Sequence, residues 1–324
     1  MARYIIVRLL QGVLLLLVMS LLVFVAVYAV GNPVTMLVNP ASPSEVIEQT
    51  IKNLGLDQPL HVQYLKFVEH ALRGDLGASY ISSQPAVRLI LERFPNTLEL
   101  TIAAMLIASV IGVPCGLIAG YRPQSVAGKV IGSLSVVGIS LPSFWVGLML
   151  ISVFSIEFGI FPTGGRGPAA TFFGVSSSLF TTGGWHHIAL PALNLSLFPT
   201  AMMTQLTRAG VQENLRANHI RYARAKGLSG QRILFRYVLP SIAIPIITVM
   251  GIVFGVLLAF GVVTETVFSW PGIGKLIIEA IRTSDRPVII AYLLFTVSLF
   301  TLINLAVDIA CALIDPRIAL AEAA

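Results

Sequence analysis

Tyr222-Ala223-Arg224-Ala225-Lys226-Gly227-Leu228 is a short basic, helix-forming stretch set between two long apolar segments. From Val211 to Tyr237 the chain carries Arg216, Arg221, Arg224, Lys226, Arg232 and Arg236 against one carboxylate, Glu213. A loop this positive between hydrophobic runs belongs on the cytoplasmic side of a membrane. Val211 to Lys226 favours helix, and Gly227 is placed to end it. Ser229 then offers an N-cap for a second short helix, Gln231–Val238, closed by Pro240. The two helices and their glycine turn predict a compact knob, with Leu215, Ile220, Ala223 and Leu228 on its apolar side and arginines on its rim. Such a knob suits a cleft on a soluble partner. A solvated basic loop that only enforces topology is the alternative.

Composition agrees with a membrane setting. The 324 residues are 56% hydrophobic and only 11% charged, with mean hydropathy +0.87, against roughly 25% charged for a soluble domain. The net charge of +6 comes with no zinc-finger spacing and no basic-aromatic platform, so it points to topology control and not to nucleic acid. Cys115 and Cys311 both lie in apolar stretches, which argues against a disulfide framework or a metal site.

The expected fold is an all-α membrane protein with six transmembrane helices. Their approximate bounds are Leu9–Val30, Leu98–Gly120, Val130–Ile156, Ile188–Thr207, Ser241–Thr264 and Val288–Leu313, each long enough for a hydrocarbon core. Residues 1–30 hold the N-terminus and first helix, read as retained because its uncharged run exceeds a signal-peptide core. Residues 31–97 form a small external segment of mixed structure, a docking platform or lid. Within it, helices are expected over Glu45–Asn53 (capped by Ser44), His61–Leu72 and Val87–Arg93, with a turn from Ser79 to Pro85. Residues 98–313 form a five-helix core with the basic loop at 209–240, and residues 314–324 form a tail. Arg3, Arg8, Arg122, Lys129, the basic loop and Arg317 fall on one side, which places both termini in the cytoplasm.

Polar groups near the spans divide by depth. Glu99, Glu157 and Glu265 sit near helix ends, where water or headgroups are expected to reach them. Asp308 lies deeper and needs a structural partner. Asn194 and Gln205 read as glue between helices, and the adjacent His186-His187 makes a poor chelating pair. No Gly-x-x-x-x-Gly-Lys-Ser/Thr run exists to cradle nucleotide phosphates: Gly274-Lys275 is followed by Leu276, and Gly128-Lys129 by Val130. Neither a catalytic nor a metal site is expected.

The Ala223–Leu228 run resembles the cytoplasmic motif of ABC importer permeases of the dipeptide/oligopeptide/nickel family. Further stretches are similar in the same order: Gly31-Asn32-Pro33-Val34, then Leu54-Gly55-Leu56-Asp57-Gln58-Pro59-Leu60, and Gly74-Asp75-Leu76-Gly77-Ala78-Ser79. Glu265-Thr266-Val267-Phe268-Ser269-Trp270-Pro271-Gly272-Ile273-Gly274 and the ending Asp315-Pro316-Arg317 follow. Asn218 and His219 depart from the acidic residue and Tyr usual there. Pro240-Ser241 replaces the expected Arg-Asn.

The resemblance implies a type I ABC importer permease fold in the inner (plasma) membrane. It also implies a homologous second permease, two ATP-binding subunits and an external solute-binding protein as partners. ATP and magnesium would be held by those ATP-binding subunits and no cofactor by this chain. Leu215, Tyr222, Ala223, Arg224, Ala225, Lys226, Gly227 and Leu228 would couple to the ATPases. Glu265, Phe268, Trp270, Pro271 and Gly272 would form a family motif near the external face. Peptides are the leading cargo, with nickel chelates or glutathione as alternatives. An ion-coupled secondary transporter, which should show internal repeats, and a membrane scaffold remain as rival classes.

Overall fold

The computed structural model describes residues 2–29, 57–172 and 175–314. The expected Glu45–Asn53 helix, the stretches Gly31–Val34 and Leu54–Leu56, and the Asp315–Arg317 ending lie outside those residues. The chain divides into two compact units. The larger takes in Met1–Ile5, Pro95–Lys275 and Leu302–Ala324; the smaller takes in Ile6–Phe94 and Leu276–Thr301.

The first elements are α1 (Ala2–Ala29), α2 (Leu60–Leu72) and α3 (Ala86–Tyr121). Among the described residues, four helical stretches are long and apolar enough to cross a membrane: Ile6–Ala26, Ala86–Tyr121, Gly230–Phe260 and Arg286–Cys311. The expected short helix Val87–Arg93 and the expected span from Leu98 are one helix, α3, which runs through Pro95 and Pro114. The expected third span is broken. α4 (Val126–Ser140) and α5 (Ser143–Leu150) meet at 104°. Pro142 cannot continue the helix, and Leu141 before it takes the extended backbone that a following proline favours. A π-helical turn, Ile151–Glu157, extends α5.

A two-stranded antiparallel hairpin follows, β1 (Ala170–Phe172) with β2 (Val175–Ser177), pairing Ala170 with Ser177. Then comes α6 (Thr182–Asn214), a 33-residue helix that contains the expected span Ile188–Thr207. Asn194, Thr204 and Thr207 make it too polar to join the four apolar stretches above, yet all three are buried. The helix is faced largely by protein, so its polar groups need not meet lipid.

Close helix approach explains that burial. Gly112, Gly116 and Gly120 stand four residues apart on α3, and a Cβ there would come within 2.8, 2.7 and 2.8 Å of the Thr200, Thr204 and Arg208 carbonyls. Only glycine lets two backbones run this near, the packing mode of small residues at four-residue spacing. α4 meets the same helix through Gly138, whose Cβ would lie 3.3 Å from that of Ala201. Leu100, Met105, Leu117, Ile188, Met203 and Val211 fill the larger unit's core around these contacts.

Past α6 come α7 (Asn218–Ala225), α8 (Gly230–Ile233), a π-helical turn Leu234–Val238 and α9 (Leu239–Phe260). The last described elements are α10 (Val262–Val267), α11 (Ile273–Arg282) and α12 (Arg286–Ile314). Pro240 was expected to close a short helix; instead Gly230–Phe260 forms one apolar stretch. The π-helical turn lies immediately before the proline, where a wider turn accommodates the missing N–H and the ring.

In the smaller unit α1 meets α2 through Phe24 and Tyr64, edge to face at 5.4 Å, and the Ser20 and Tyr64 hydroxyls lie 2.8 Å apart. The buried Asp285 carboxylate accepts from Ser79 Oγ at 2.5 Å and from the Tyr80 N–H at 3.2 Å. This pins the turn expected between Ser79 and Pro85 to the start of α12. Burial pushes the Tyr80 hydroxyl above the ordinary tyrosine pKa, with Arg286 opposing and Asp285 assisting.

Candidate functional site

α6 ends at Asn214, and a turn through Leu215, Arg216 and Ala217 redirects the chain before α7. The continuous helix expected from Val211 to Lys226 is therefore interrupted. Ala217 is extended (φ −64°, ψ 148°), which separates α7 from α6. One face of α7 is inside: Ile220 is 0% exposed and Ala223 3%. That i, i+3 pair joins the core with Val211, Ile233 and Val238, and Leu215 and Leu228 pack at its edge. Full burial of the Ile220 side chain stabilises by roughly 1.5–3 kcal/mol, which holds the helix in place without charge.

The opposite face is presented outward. Tyr222 is 64% exposed, and Arg221, Arg224, Ala225 and Lys226 are all exposed. Lys226 Nζ lies 4.6 Å from the Tyr222 ring centroid, over its face. The helix stops as the sequence predicts. Gly227 has φ +76°, its N–H donates to Arg224 O at 2.9 Å, and the Leu228 N–H donates to Ala223 O at 3.3 Å. This pair of bonds, with Leu228 against Ala223, is the Schellman closure. Ser229 then accepts from the Arg232 N–H and starts the foot of α9.

The second predicted group, Glu265 to Gly272, is the inverse. Glu265 was expected at a wetted helix end, but it is 1% exposed. Its carboxylate accepts from Thr97 Oγ1 at 2.6 Å and from the Lys275 N–H at 3.0 Å. The Thr97 hydroxyl oxygen in turn accepts from the Ile273 N–H at 2.9 Å. Trp270 is fully buried and donates its indole N–H to Asn96 O at 2.8 Å, while Pro271 O accepts from Asn96 Nδ2 at 2.8 Å. A Cβ at Gly272 would overlap the Glu265 carboxylate. Phe268 is buried, and its carbonyl accepts from the Gly165 N–H at 2.9 Å. Chain folding over the helix end excludes the water that Glu265 was expected to meet. Asn96 and Thr97, which complete this network, carry no signal in the sequence that pairs them with it.

Glu99 is likewise buried, not interfacial. It pairs with Arg166 at 2.7 Å, accepts the Ser178 and Leu179 N–H groups at 2.8 and 3.1 Å, and also meets the Ser178 hydroxyl. The loop that folds over it, Gly159 to Thr181, carries those donors. Glu157 is exposed, as expected, and Asp308 and Gln205 are half-buried. His186 and His187 diverge: the first sits 3.0 Å from Thr182 O, the second 3.1 Å from Gly164 O. The buried Asn194 donates to Thr264 Oγ1 at 3.0 Å, joining α6 to α10.

Residues 112–320 match the binding-protein-dependent transport system inner membrane component, and residues 1–101 match the N-terminal part of such membrane components. The chain belongs to this family. It is a permease component of an ABC importer.

The permease is 37% identical over 320 residues to the oligopeptide transport system permease protein AppB of Bacillus subtilis, covering 98% of this chain and 99% of that one. It is also 37% identical over 319 residues to the glutathione transport system permease protein GsiC of Escherichia coli K12, with the same coverage. Among solved structures it resembles an inward-facing MetNI methionine ABC transporter, with TM-score 0.53 and 15% identity over 70% of this chain and 96% of that chain. That likeness supports the type I importer permease fold.

Proposed function

We propose that this permease forms half of the translocation pathway for di- or oligopeptides, delivered by an external binding protein and driven by ATP. A homologous second permease completes the pathway. Two ATP-binding subunits, which hold the ATP and magnesium, dock on the cytoplasmic side, and this chain performs no hydrolysis. Both termini lie in the cytoplasm. The observation that carries the reading is 37% identity to an oligopeptide permease across nearly the full length of both chains.

The knob is the coupling element. Ile220 and Ala223 fasten α7 to the helical core, so a push on Tyr222, Arg224, Ala225 and Lys226 passes into α6 and α9. Leu215 and Leu228 seat its two ends, and Gly227 fixes its length. Nucleotide moves the equilibrium only by binding the closed ATPase pair more tightly than the open one. Glu265, Phe268, Trp270, Pro271 and Gly272 serve as a rigid external fixture against which that motion acts.

A second cargo has an observation in its favour: the glutathione permeases match as closely as the oligopeptide one, and glutathione is itself a tripeptide. Purification of the tagged chain should bring down a second permease and an ATPase pair. Proteoliposomes holding that complex and the binding protein should import labelled dipeptide, tripeptide or glutathione only with ATP inside the ATPase-accessible compartment. Uptake driven by an ion gradient without the ATPases would overturn the proposal.

A further inference from the structure

We propose that a cavity at the foot of α9 binds one anionic phospholipid, with an acyl chain in the cavity and the phosphate on Arg122. The cavity has a volume of about 450 Å³ and lies between α3 and the residues that open the Gly230–Phe260 stretch. Pro114, Leu117, Ile118 and Tyr121 line one wall, at the three- and four-residue spacing of a single helix face. The glycines at 112, 116 and 120 that meet α6 occupy the opposite face. Leu234 and Phe235 stand on the other wall. Ile118 is 51% exposed and Phe235 60%, so the apolar space opens to the surface. α3 ends at Tyr121 and the second stretch begins at Gly230. One apolar stretch therefore stops where another starts, the level at which a bilayer places its headgroups and where tyrosine is favoured.

The polar groups at this level are basic or neutral. Arg122 and Gln231 line the cavity and are exposed. The Arg122 guanidinium, the Gln231 amide and the Tyr121 hydroxyl have no hydrogen bond or ion pair among the described residues. The Tyr121 hydroxyl is held at the cavity by Gly230, where a Cβ would overlap it. No Asp or Glu occurs in residues 100–156 or 214–264, the segments that supply both walls, whereas Lys129, Arg232 and Arg236 add to Arg122 there. No carboxylate on either wall competes for the guanidinium. An apolar space with a positive, acid-free rim complements a ligand with a hydrocarbon tail and an anionic head, and basic pockets between membrane helices take such headgroups. The chain belongs to an inner membrane component family, so the surrounding bilayer supplies that ligand without a further partner.

The test uses the complete importer, purified in detergent with equal amounts of dioleoyl phosphatidylglycerol and dioleoyl phosphatidylcholine, and counts bound lipid by native mass spectrometry. The two probes share their acyl chains and differ in head charge. Ile118→Trp fills the cavity from an exposed position, so the lipid lost between the parent and this variant counts the site alone. That lipid should be one phosphatidylglycerol per copy of this chain, favoured about fivefold over phosphatidylcholine, the weight of one basic side chain at a membrane surface. Arg122→Gln should remove the preference, and Arg122→Lys should restore most of it.

Loss of both lipids in equal measure, a preference that persists in Arg122→Gln, or no lipid lost in Ile118→Trp overturns the site. So does crosslinking of a photoreactive group at Phe235 to another subunit in place of lipid, which would make the cavity a protein interface. None of these readouts depends on cargo, so failure of the peptide reading leaves the lipid site standing.

Discussion

The basic knob around α7 and the Glu265–Gly272 network are both short motifs beside α9, yet they are built on opposite principles. In the knob, charge faces out and two aliphatic side chains, Ile220 and Ala223, hold the helix. In the Glu265 network the charge faces in, where the carboxylate is surrounded by hydroxyl and backbone donors from Thr97 and Lys275. The knob leaves its polar groups available to solvent or a partner, and the Glu265 network consumes its polar groups internally. The same contrast separates the energetics, since exposed charges contribute little to stability and a buried carboxylate stripped of its donors costs much more.

Cutting the Glu265 network gives the largest expected effect. Glu265→Ala leaves the Lys275 N–H and the Thr97 hydroxyl without their acceptor and opens a void, and it should destabilise the larger unit by about 3 kcal/mol or more. Thermal unfolding in detergent and the yield of assembled complex measure this. A loss under about 1 kcal/mol would place the network among dispensable contacts and dissolve the contrast.

Next comes the knob's turn. Gly227→Pro demands φ near −65° where the chain holds +76° and removes the N–H that bonds Arg224 O. It should cost about 3 kcal/mol locally and uncouple ATP hydrolysis from uptake. Gly227→Ala meets no neighbouring atom within 4 Å, so only backbone strain of about 1–2 kcal/mol applies. Transport should survive in part. Normal coupling in the proline variant would show that the turn does not transmit motion.

Reversing the exposed charge should separate function from stability most cleanly. Arg224→Glu with Lys226→Glu should shift stability by no more than about 0.5 kcal/mol while abolishing co-purification of the ATPases. Retained association would make the knob's charge a topology signal only.

The smallest effect is alkaline. Tyr80 has a raised pKa in the folded chain, so folding favours its protonated form. The stability this contributes is complete below the unfolded tyrosine pKa and is lost as pH rises through the folded value. Unfolding should become easier above about pH 10, and Tyr80→Phe should flatten that decline. An unchanged profile would assign the alkaline transition to other groups.

Much of the transporter was legible from the chain because hydropathy, charge and turn chemistry are local properties. Long apolar runs favour long helices, and Gly227 after an alanine-rich basic stretch ends a helix as its turn chemistry requires. The spacing of Gly112, Gly116 and Gly120 permits a packing face, but only the structure shows that α6 is the helix they meet. Burial was not readable in this way. Glu265 and Thr97 stand 168 residues apart, and Glu99 and Ser178 stand 79 apart, so no local pattern says that each carboxylate will be enclosed. The bend at Pro142, the continuation of the helix from α8 past Pro240 into α9 and the burial of Asn194 depend likewise on which helices lie alongside. Sequence fixes what each segment prefers, and only the packed structure decides which polar atoms lose their water, because desolvation is a property of all the neighbours together.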